Sequence, residues 1–330
     1  MKRKKPDKTL RKIICTATFI ILFCFCFHTH VFGEEKDICP PEIKVEITDA
    51  DKEFTSKVRK ATVIITDDKM KGEIKKEYVF KEGRDNFHIS IKDAAGNVST
   101  YRSNVYVQDY TAPSESTIGI YNGQIINEKL DVSICATEEW LDEEKSFVTI
   151  TGKNSRDKYK YFFEGNKICI YDDGNFKDDF YTMIIFLSDK AGNTCEREID
   201  FTVNRRGSSF AVNKRNKKII GCVANDIKDF CITEKNLSRV DTDSARILFA
   251  FNGRVMDIKK GADYGIEEKK DADGYTYTYI FYDDLFIKDG VYTLSISTMD
   301  EAGNVNDTRL RPETDEIRFA VKKGATDLQK

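Results

Sequence analysis

YTMIIFLSDKAGNTCEREIDFTV, residues 181–203, decides how this chain folds. Tyr181, Met183 and Ile185 alternate with other residues, the period of a strand with one buried face. Asp189-Lys190-Ala191-Gly192-Asn193 then breaks the alternation, and Phe201-Thr202-Val203 resumes it. Glycine supplies the positive φ of a tight turn, asparagine tolerates the left-handed region, and an aspartate carboxylate accepts bonds from turn N–H groups. The stretch therefore reads as a β-hairpin closed by a five-residue turn.

The same turn recurs as Asp93-Ala94-Ala95-Gly96-Asn97 and Asp300-Glu301-Ala302-Gly303-Asn304, at spacings of 96 and 111 residues. Each copy follows an alternating strand: Phe87, Ile89 and Ile91 before the first, Tyr292, Leu294 and Ile296 before the third. Each precedes an aliphatic or aromatic residue, a spacer and a valine, as in Val105-Tyr106-Val107 and Phe319-Ala320-Val321. Self-similarity at domain-length intervals marks an array of like units. The turn residues Asp93, Gly96, Asn97, Asp189, Gly192, Asn193, Asp300, Gly303 and Asn304 are its structural signature.

Working outward, more short alternating runs appear: Ile43, Val45 and Ile47; Leu130, Val132 and Ile134; Tyr275, Tyr277, Tyr279 and Phe281. Clusters of Gly, Asn, Asp and Lys separate them, and no segment sustains a helical period. The expected fold is all-β, three tandem immunoglobulin-like β-sandwich domains spanning residues 38–111, 114–206 and 209–323, with a tail at 324–330. Pro40, Pro41 and Pro113 fall where units begin, and the second junction lies at 204–209. Linkers this short restrict movement between domains. The tyrosines of 275–281 are expected to face the core rather than a ligand.

An aromatic-led strand, the Asp-x-Ala-Gly-Asn turn and a closing strand such as Phe201-Thr202-Val203-Asn204-Arg205 resemble the bacterial immunoglobulin-like repeats of large cell-surface proteins of Gram-positive anaerobes. The third unit is most similar, with Gly261-Ala262-Asp263-Tyr264 before its tyrosine strand and Asp289-Gly290-Val291-Tyr292 opening its hairpin. The resemblance covers residues 38–323 and implies the fold. For function it implies only the range such repeats serve: stalk, spacer or adhesive module. Residues 322–330 lack the Leu-Pro-x-Thr-Gly sorting signal of wall-anchored proteins.

Residues 1–33 read as an export signal. Seven basic residues stand against Asp7 in positions 2–12, and an uncharged apolar run follows from Ile13 to Phe27. That run is short for a bilayer, which takes about 20 residues to cross. Cleavage before Glu34 is expected, retention as a membrane anchor being the alternative. Either way the rest of the chain faces outward, so the expected location is extracellular or at the cell surface. Residues 34–330 carry 46 basic and 55 acidic side chains, a surface ill-suited to nucleic acid.

Residue types argue against catalysis. His88 is the one histidine after the signal, and it lies on the polar side of its strand. Triads and multi-histidine zinc sites are thereby excluded, and no phosphate loop or nucleophile elbow occurs. Carboxylates are numerous, but the three repeats use up the chain, so no enzyme is expected.

No cofactor is expected either. Calcium is the alternative, through Asp49-Ala50-Asp51, Asp172-Asp173, Asp178-Asp179, Asp271-Ala272-Asp273 and Asp283-Asp284 joining the turn aspartates. None has EF-hand spacing, which favours solvated turns. Six cysteines follow the signal: Cys39, Cys135, Cys169, Cys195, Cys222 and Cys231. Parity places Cys135 and Cys169 away from the core; bridges Cys135–Cys169 and Cys222–Cys231, or six thiols, all remain open. Two functions fit this reading: a passive stalk, or recognition of a surface protein or glycan by exposed loops or an edge strand. Trp140 is expected in a partly buried position, with an exposed binding anchor as the alternative.

Overall fold

The computed structural model describes residues 36–156, 159–172, 176–310 and 316–324. The expected export signal lies outside them, as do Asp173 and all but Gly324 of the expected tail. Among the described residues no helix is long and apolar enough to cross a membrane. The fold is all-β and immunoglobulin-like; helix is confined to Lys214–Lys217 and two short 3-10 turns among those residues.

The third stretch shows the arrangement most fully. One sheet runs Ser209–Val212, Phe230–Asn236, Gly274–Phe281, Tyr264–Asp271 in spatial order. The facing sheet runs Val223–Ala224, Ile317–Val321, Gly290–Asp300, Val240–Phe251, Arg254–Met256. This is the sandwich order of immunoglobulin domains, in which the first, second, fifth and fourth strands form one layer. Tyr277, Tyr279 and Phe281 alternate inward at 1% exposure or less and meet Phe230, Tyr292, Leu294, Ile296 and Phe319. Each such residue contributes about 1.5–3 kcal/mol by leaving water. The tyrosine strand is thus core, as its period indicated.

The second stretch repeats this plan. One sheet orders Tyr161–Glu164, Lys167–Tyr171, Asp131–Thr137, Ser114–Ile118; the other orders Gln124–Ile126, Thr194–Val203, Asp179–Ser188, Phe147–Gly152. Register places Val132 opposite Ile170 and Ile134 opposite Ile168, all four at 1% exposure or less. In the first stretch Glu42–Ile47, Lys60–Thr66 and Ile74–Val79 form a three-stranded sheet. Phe54–Thr55, Tyr106–Gln108 and Gly83–Asp85 form another, with the hairpin His88–Lys92/Val98–Arg102. Its buried residues include Val63, Ile65, Phe87, Ile89 and Ile91. All three stretches share one detail: a short early strand pairs in parallel with the closing strand, as Phe54↔Val107, Gln124↔Phe201 and Val223↔Ala320.

By its contacts the chain divides into two compact units. One holds the chain to Ser114 with Thr137–Ser146 and Leu187–Cys195; the other holds Glu115–Ala136, Phe147–Phe186 and Glu196 onward.

One expectation is corrected, and the first closing strand differs from the other two: Tyr106 and Val107 are 5% and 0% exposed, and Val105 is 52% exposed. The strand is interrupted between Arg102 and Tyr106, which resets its parity, and Tyr106 packs under the Arg59 guanidinium, 4.1 Å from its ring. Cys169 does not point to solvent but is 2% exposed. It lies mid-sheet between Ser133 and Phe162, and the ring of Phe162 stacks on Tyr171 at 5.5 Å on that face. All six described cysteines are free thiols; register sets Cys135 opposite Lys167, a diagonal step from Cys169.

Candidate functional site

At each recurrent turn the aspartate carboxylate accepts from turn backbone N–H groups. Asp93 Oδ1 accepts from the backbone N–H of Gly96 at 2.6 Å and of Asn97 at 2.8 Å. Asp189 Oδ1 accepts from Asn193 N at 2.9 Å, and Asp300 Oδ1 from Asn304 N at 2.8 Å. Gly192 sits at φ 93°, where a side chain would be strained. Burial pushes the Asp93 carboxyl up, but bonds from the Asn97 amide and turn N–H groups outweigh it and hold the group below its ordinary range.

The asparagine does more than tolerate the turn. Its Nδ2 gives one hydrogen to the second oxygen of its own aspartate, at 2.8 Å for Asn97, 2.7 Å for Asn193 and 3.0 Å for Asn304. That bond fixes the amide plane and aims the other hydrogen back along the chain. Asn97 Nδ2 reaches the backbone carbonyls of Asp37 and Cys39, both at 3.3 Å. Asn193 Nδ2 reaches those of Asp109 at 2.8 Å and Thr111 at 3.3 Å, and Asn304 Nδ2 that of Asn204 at 2.8 Å. Each turn therefore holds the segment that enters its own repeat. The first two are alike in detail, since Cys39 N donates to Asp37 Oδ1 and Thr111 N to Asp109 Oδ1, each at 3.0 Å.

Around these turns the structure gathers acids that the sequence did not single out together. One ligand oxygen each from Asp37, Asp67 and Asp93 lie within 4.8 Å of one another, and so do those of Asp109, Glu138 and Asp189. Asp109 is 5% exposed and Asp189 fully buried. Burial, then the charges of Asp189, Glu82 and Glu139, raise the Asp109 carboxyl above its usual range; burial also raises Glu138. Asp37 forms a further group with Cys39 and Asp68.

The third turn is built from amides instead. Asn204 Nδ2 lies 3.2 Å from Asp300 Oδ2 and 2.8 Å from both Asn236 Oδ1 and Ser238 Oγ. Asn236 Nδ2 donates to the same Asp300 oxygen at 2.9 Å. Next to it Glu234, fully buried, accepts hydroxyls from Ser208 at 2.5 Å and from Thr298 and Tyr279 at 2.7 Å.

Several of the acids named from the sequence as calcium candidates have structural partners. Asp172 pairs with Arg205; Asp178 accepts from the N–H groups of Arg205 and Arg206; Asp179 accepts from those of Asn154, Ser155 and Phe180. Asp271 accepts from Asp273 N, and Asp283 from Asp229 N. Among the described residues of that set, only the turn aspartates Asp93 and Asp189 enter an acidic group. Trp140 is half-buried, edge-on to Phe54 at 6.3 Å, and its carbonyl accepts from Lys190 N. His88 is half-buried on the face opposite Phe87 and Ile89.

No protein-family profile matches the chain, and no curated protein matches it. Among solved structures it is similar to the I-band fragment I67–I69 from titin, at 11% identity and a TM-score of 0.33, covering 64% of this chain and 66% of that one. It is also similar to Dpr2 Ig1-Ig2 in complex with DIP-Theta Ig1-Ig3, at 10% identity and a TM-score of 0.33, covering 76% and 70%. The chain thus spans just under two thirds of the titin fragment's length. Likeness at this level carries no argument about function, and the immunoglobulin-like fold stands on the chain's own strand order and register.

Proposed function

We propose that this chain is an exported, non-catalytic spacer at the cell surface, built of immunoglobulin-like repeats whose linkers are held by the asparagine of each Asp-x-Ala-Gly-Asn turn. The observation that carries the reading is the threefold grip of a turn asparagine on the backbone entering its own repeat. A spacer transmits position only if its joints resist bending, and a hydrogen bond from a half-buried, pre-aimed amide supplies that resistance. The basic stub and apolar run of residues 2–27 support export.

The test is limited proteolysis of the purified chain carrying Asn193→Ala or Asn304→Ala. Cleavage is expected to rise at 109–113 in the first and at 204–208 in the second, with the sandwiches themselves still resistant. Unchanged cleavage at both linkers would remove the support for a held joint.

Recognition of a surface protein or glycan is the second reading. It is favoured by the stacked pair Phe162 and Tyr171, 47% and 57% exposed, with Phe162 on the sheet-edge strand Tyr161–Glu164. Exposed stacked rings offer apolar faces to a sugar ring or a peptide side chain. Pull-down from cell-surface extract and host glycoproteins, comparing the unchanged chain with Phe162→Ala, separates the two: a saturable partner lost in the variant supports recognition, and bare beads leave the spacer.

A further inference from the structure

We infer that two copies of this chain pair edge to edge through strand Phe147–Gly152 of the second repeat, joining their sheets into one continuous antiparallel sheet. That strand closes one side of its sheet; it is bonded to Asp179–Ser188 and, among the described residues, to no strand beyond. Its sequence, Phe-Val-Thr-Ile-Thr-Gly, carries no charge. Every other described edge strand of five or more residues does, from Glu42–Ile47 to the Glu267-Glu268-Lys269-Lys270 run of Tyr264–Asp271. Charged side chains keep an edge from pairing with another chain. The third repeat covers the same place itself: Val240–Phe251, which likewise pairs with the strand before the turn, is flanked by Arg254–Met256, with Phe249 opposite Met256.

A second copy is the partner because this edge complements itself. The ladder to Asp179–Ser188 pairs Gly152 with Tyr181, and one step on Lys153 N donates to Phe180 O at 2.8 Å. Bonded and non-bonded positions alternate in an antiparallel ladder. Phe147, Thr149 and Thr151 therefore turn their N–H and C=O groups toward Asp179–Ser188, and Val148 and Ile150 turn theirs to the open edge. About a two-fold axis through Thr149, Val148 of each copy exchanges both bonds with Ile150 of the other, so that every donor meets an acceptor. The faces agree as well: Val148 and Ile150 lie on the inner side, and Phe147 comes beside Thr151 on the outer side. The strand ends at Gly152, where Asp179 takes the N–H groups of Asn154 and Ser155, and centring on Thr149 keeps every bonded pair short of that turn.

Charge favours approach at this edge. Residues 34–330 hold 55 acidic and 46 basic side chains, a net charge that makes copies repel, whereas the strand itself is neutral. The lysines at the two ends of the ladder are neutralised within their own chain, Lys145 Nζ by Asp142 and Lys153 Nζ by Asp273, both at 2.7 Å. Beneath the edge, Val148 and Ile150 line a groove of about 350 Å³ with Tyr161 and Ile170 of the facing sheet. In the joined sheet the second copy carries its own Val148 and Ile150 across the mouth of that groove and removes apolar surface from water.

The inference goes beyond the spacer reading and is tested apart from it, because linker proteolysis reports on joints within a chain and sedimentation on contacts between chains. The purified chain, kept in reductant so that its thiols cannot join copies, is followed by sedimentation equilibrium. So short a ladder gives a weak dimer, with half-association on the order of 10–100 µM. Thr149 is exposed, so Thr149→Lys and Thr149→Glu should match the unchanged chain by circular dichroism. Each sets like charges together at the axis and should weaken association about tenfold or more. Mixing the two variants places opposite charges there and should restore a one-to-one dimer, a recovery that neither misfolding nor association through another surface produces. A chain monomeric up to about 1 mM, the effective concentration of tethered modules, would overturn the inference. So would a dimer indifferent to both substitutions, or a mixture that stays as monomeric as its parts.

Discussion

Asp109 and Asn204 stand at the same place in successive linkers, each giving its backbone carbonyl at 2.8 Å to the turn asparagine 84 or 100 residues further on. Their side chains differ where the backbone roles agree. Asn204 is fully buried and donates toward three acceptors, Asn236 Oδ1, Ser238 Oγ and Asp300 Oδ2.

Asn204→Asp should therefore weaken the third repeat. It removes these donors and places a second carboxylate beside Asp300, a change expected to cost about 2–4 kcal/mol. Denaturant unfolding followed by hydrogen exchange in strand Phe230–Asn236 measures it; a cost below about 0.5 kcal/mol would mean that the amide network contributes little.

Two glycines separate strain from collision. Gly192, at φ 93°, has open space around a would-be Cβ, so Gly192→Ala should cost about 1–2 kcal/mol, the left-handed penalty alone. Gly119, at φ 87°, would put its Cβ 2.1 Å from the backbone oxygen of Asp131. Gly119→Ala must displace a strand as well, and should lower the melting temperature at least twice as far as Gly192→Ala.

The buried Glu234 makes the third repeat sensitive to pH. Burial raises its carboxyl above the ordinary glutamate range, although hydroxyls from Ser208, Thr298 and Tyr279 work in the opposite direction. A raised carboxyl pKa means that its favourable contribution is complete below the unfolded glutamate value and is lost as pH rises through the folded one. Protection of strand Phe230–Asn236 from hydrogen exchange should decline over that rise, and Glu234→Gln should flatten the decline. An unchanged profile in Glu234→Gln would assign the pH dependence to another group.

Thiol chemistry checks the cysteine assignments. Cys39 is exposed and should react at once with a thiol reagent, whereas Cys169, at 2% exposure, should react only on unfolding. Burial also raises the Cys231 thiol, which slows its reaction by lowering its thiolate fraction. A non-reducing gel band that shifts on reduction would contradict free thiols.

Much of the fold was legible because β alternation is a local signal. Val132 and Ile134, Tyr277 and Tyr279, and Met183 and Ile185 all face inward as their period indicates. The turn residues were legible too, since glycine and asparagine answer to backbone dihedrals a few positions away. The reach of Asn193 to Asp109 was not, because the partner is an anonymous carbonyl that leaves no trace in residue identity. Asp67 and Glu138 escaped for a related reason: single acids at strand ends are commonplace, and only the folded chain brings them to Asp93 and Asp189. Cys169 failed through a two-sided assumption, that the face opposite Ile168 and Ile170 must be wet; aromatic neighbours on that face keep it dry.

Each turn asparagine grips main-chain oxygens, a chemistry common to all residues. A repeat consequently carries its own socket and can receive any incoming segment of suitable backbone shape, whatever its side chains. Arrays made of such parts can be lengthened, shortened or shuffled by whole repeats without co-adapting both sides of every joint, which leaves the exposed loops free to diverge while the framework persists.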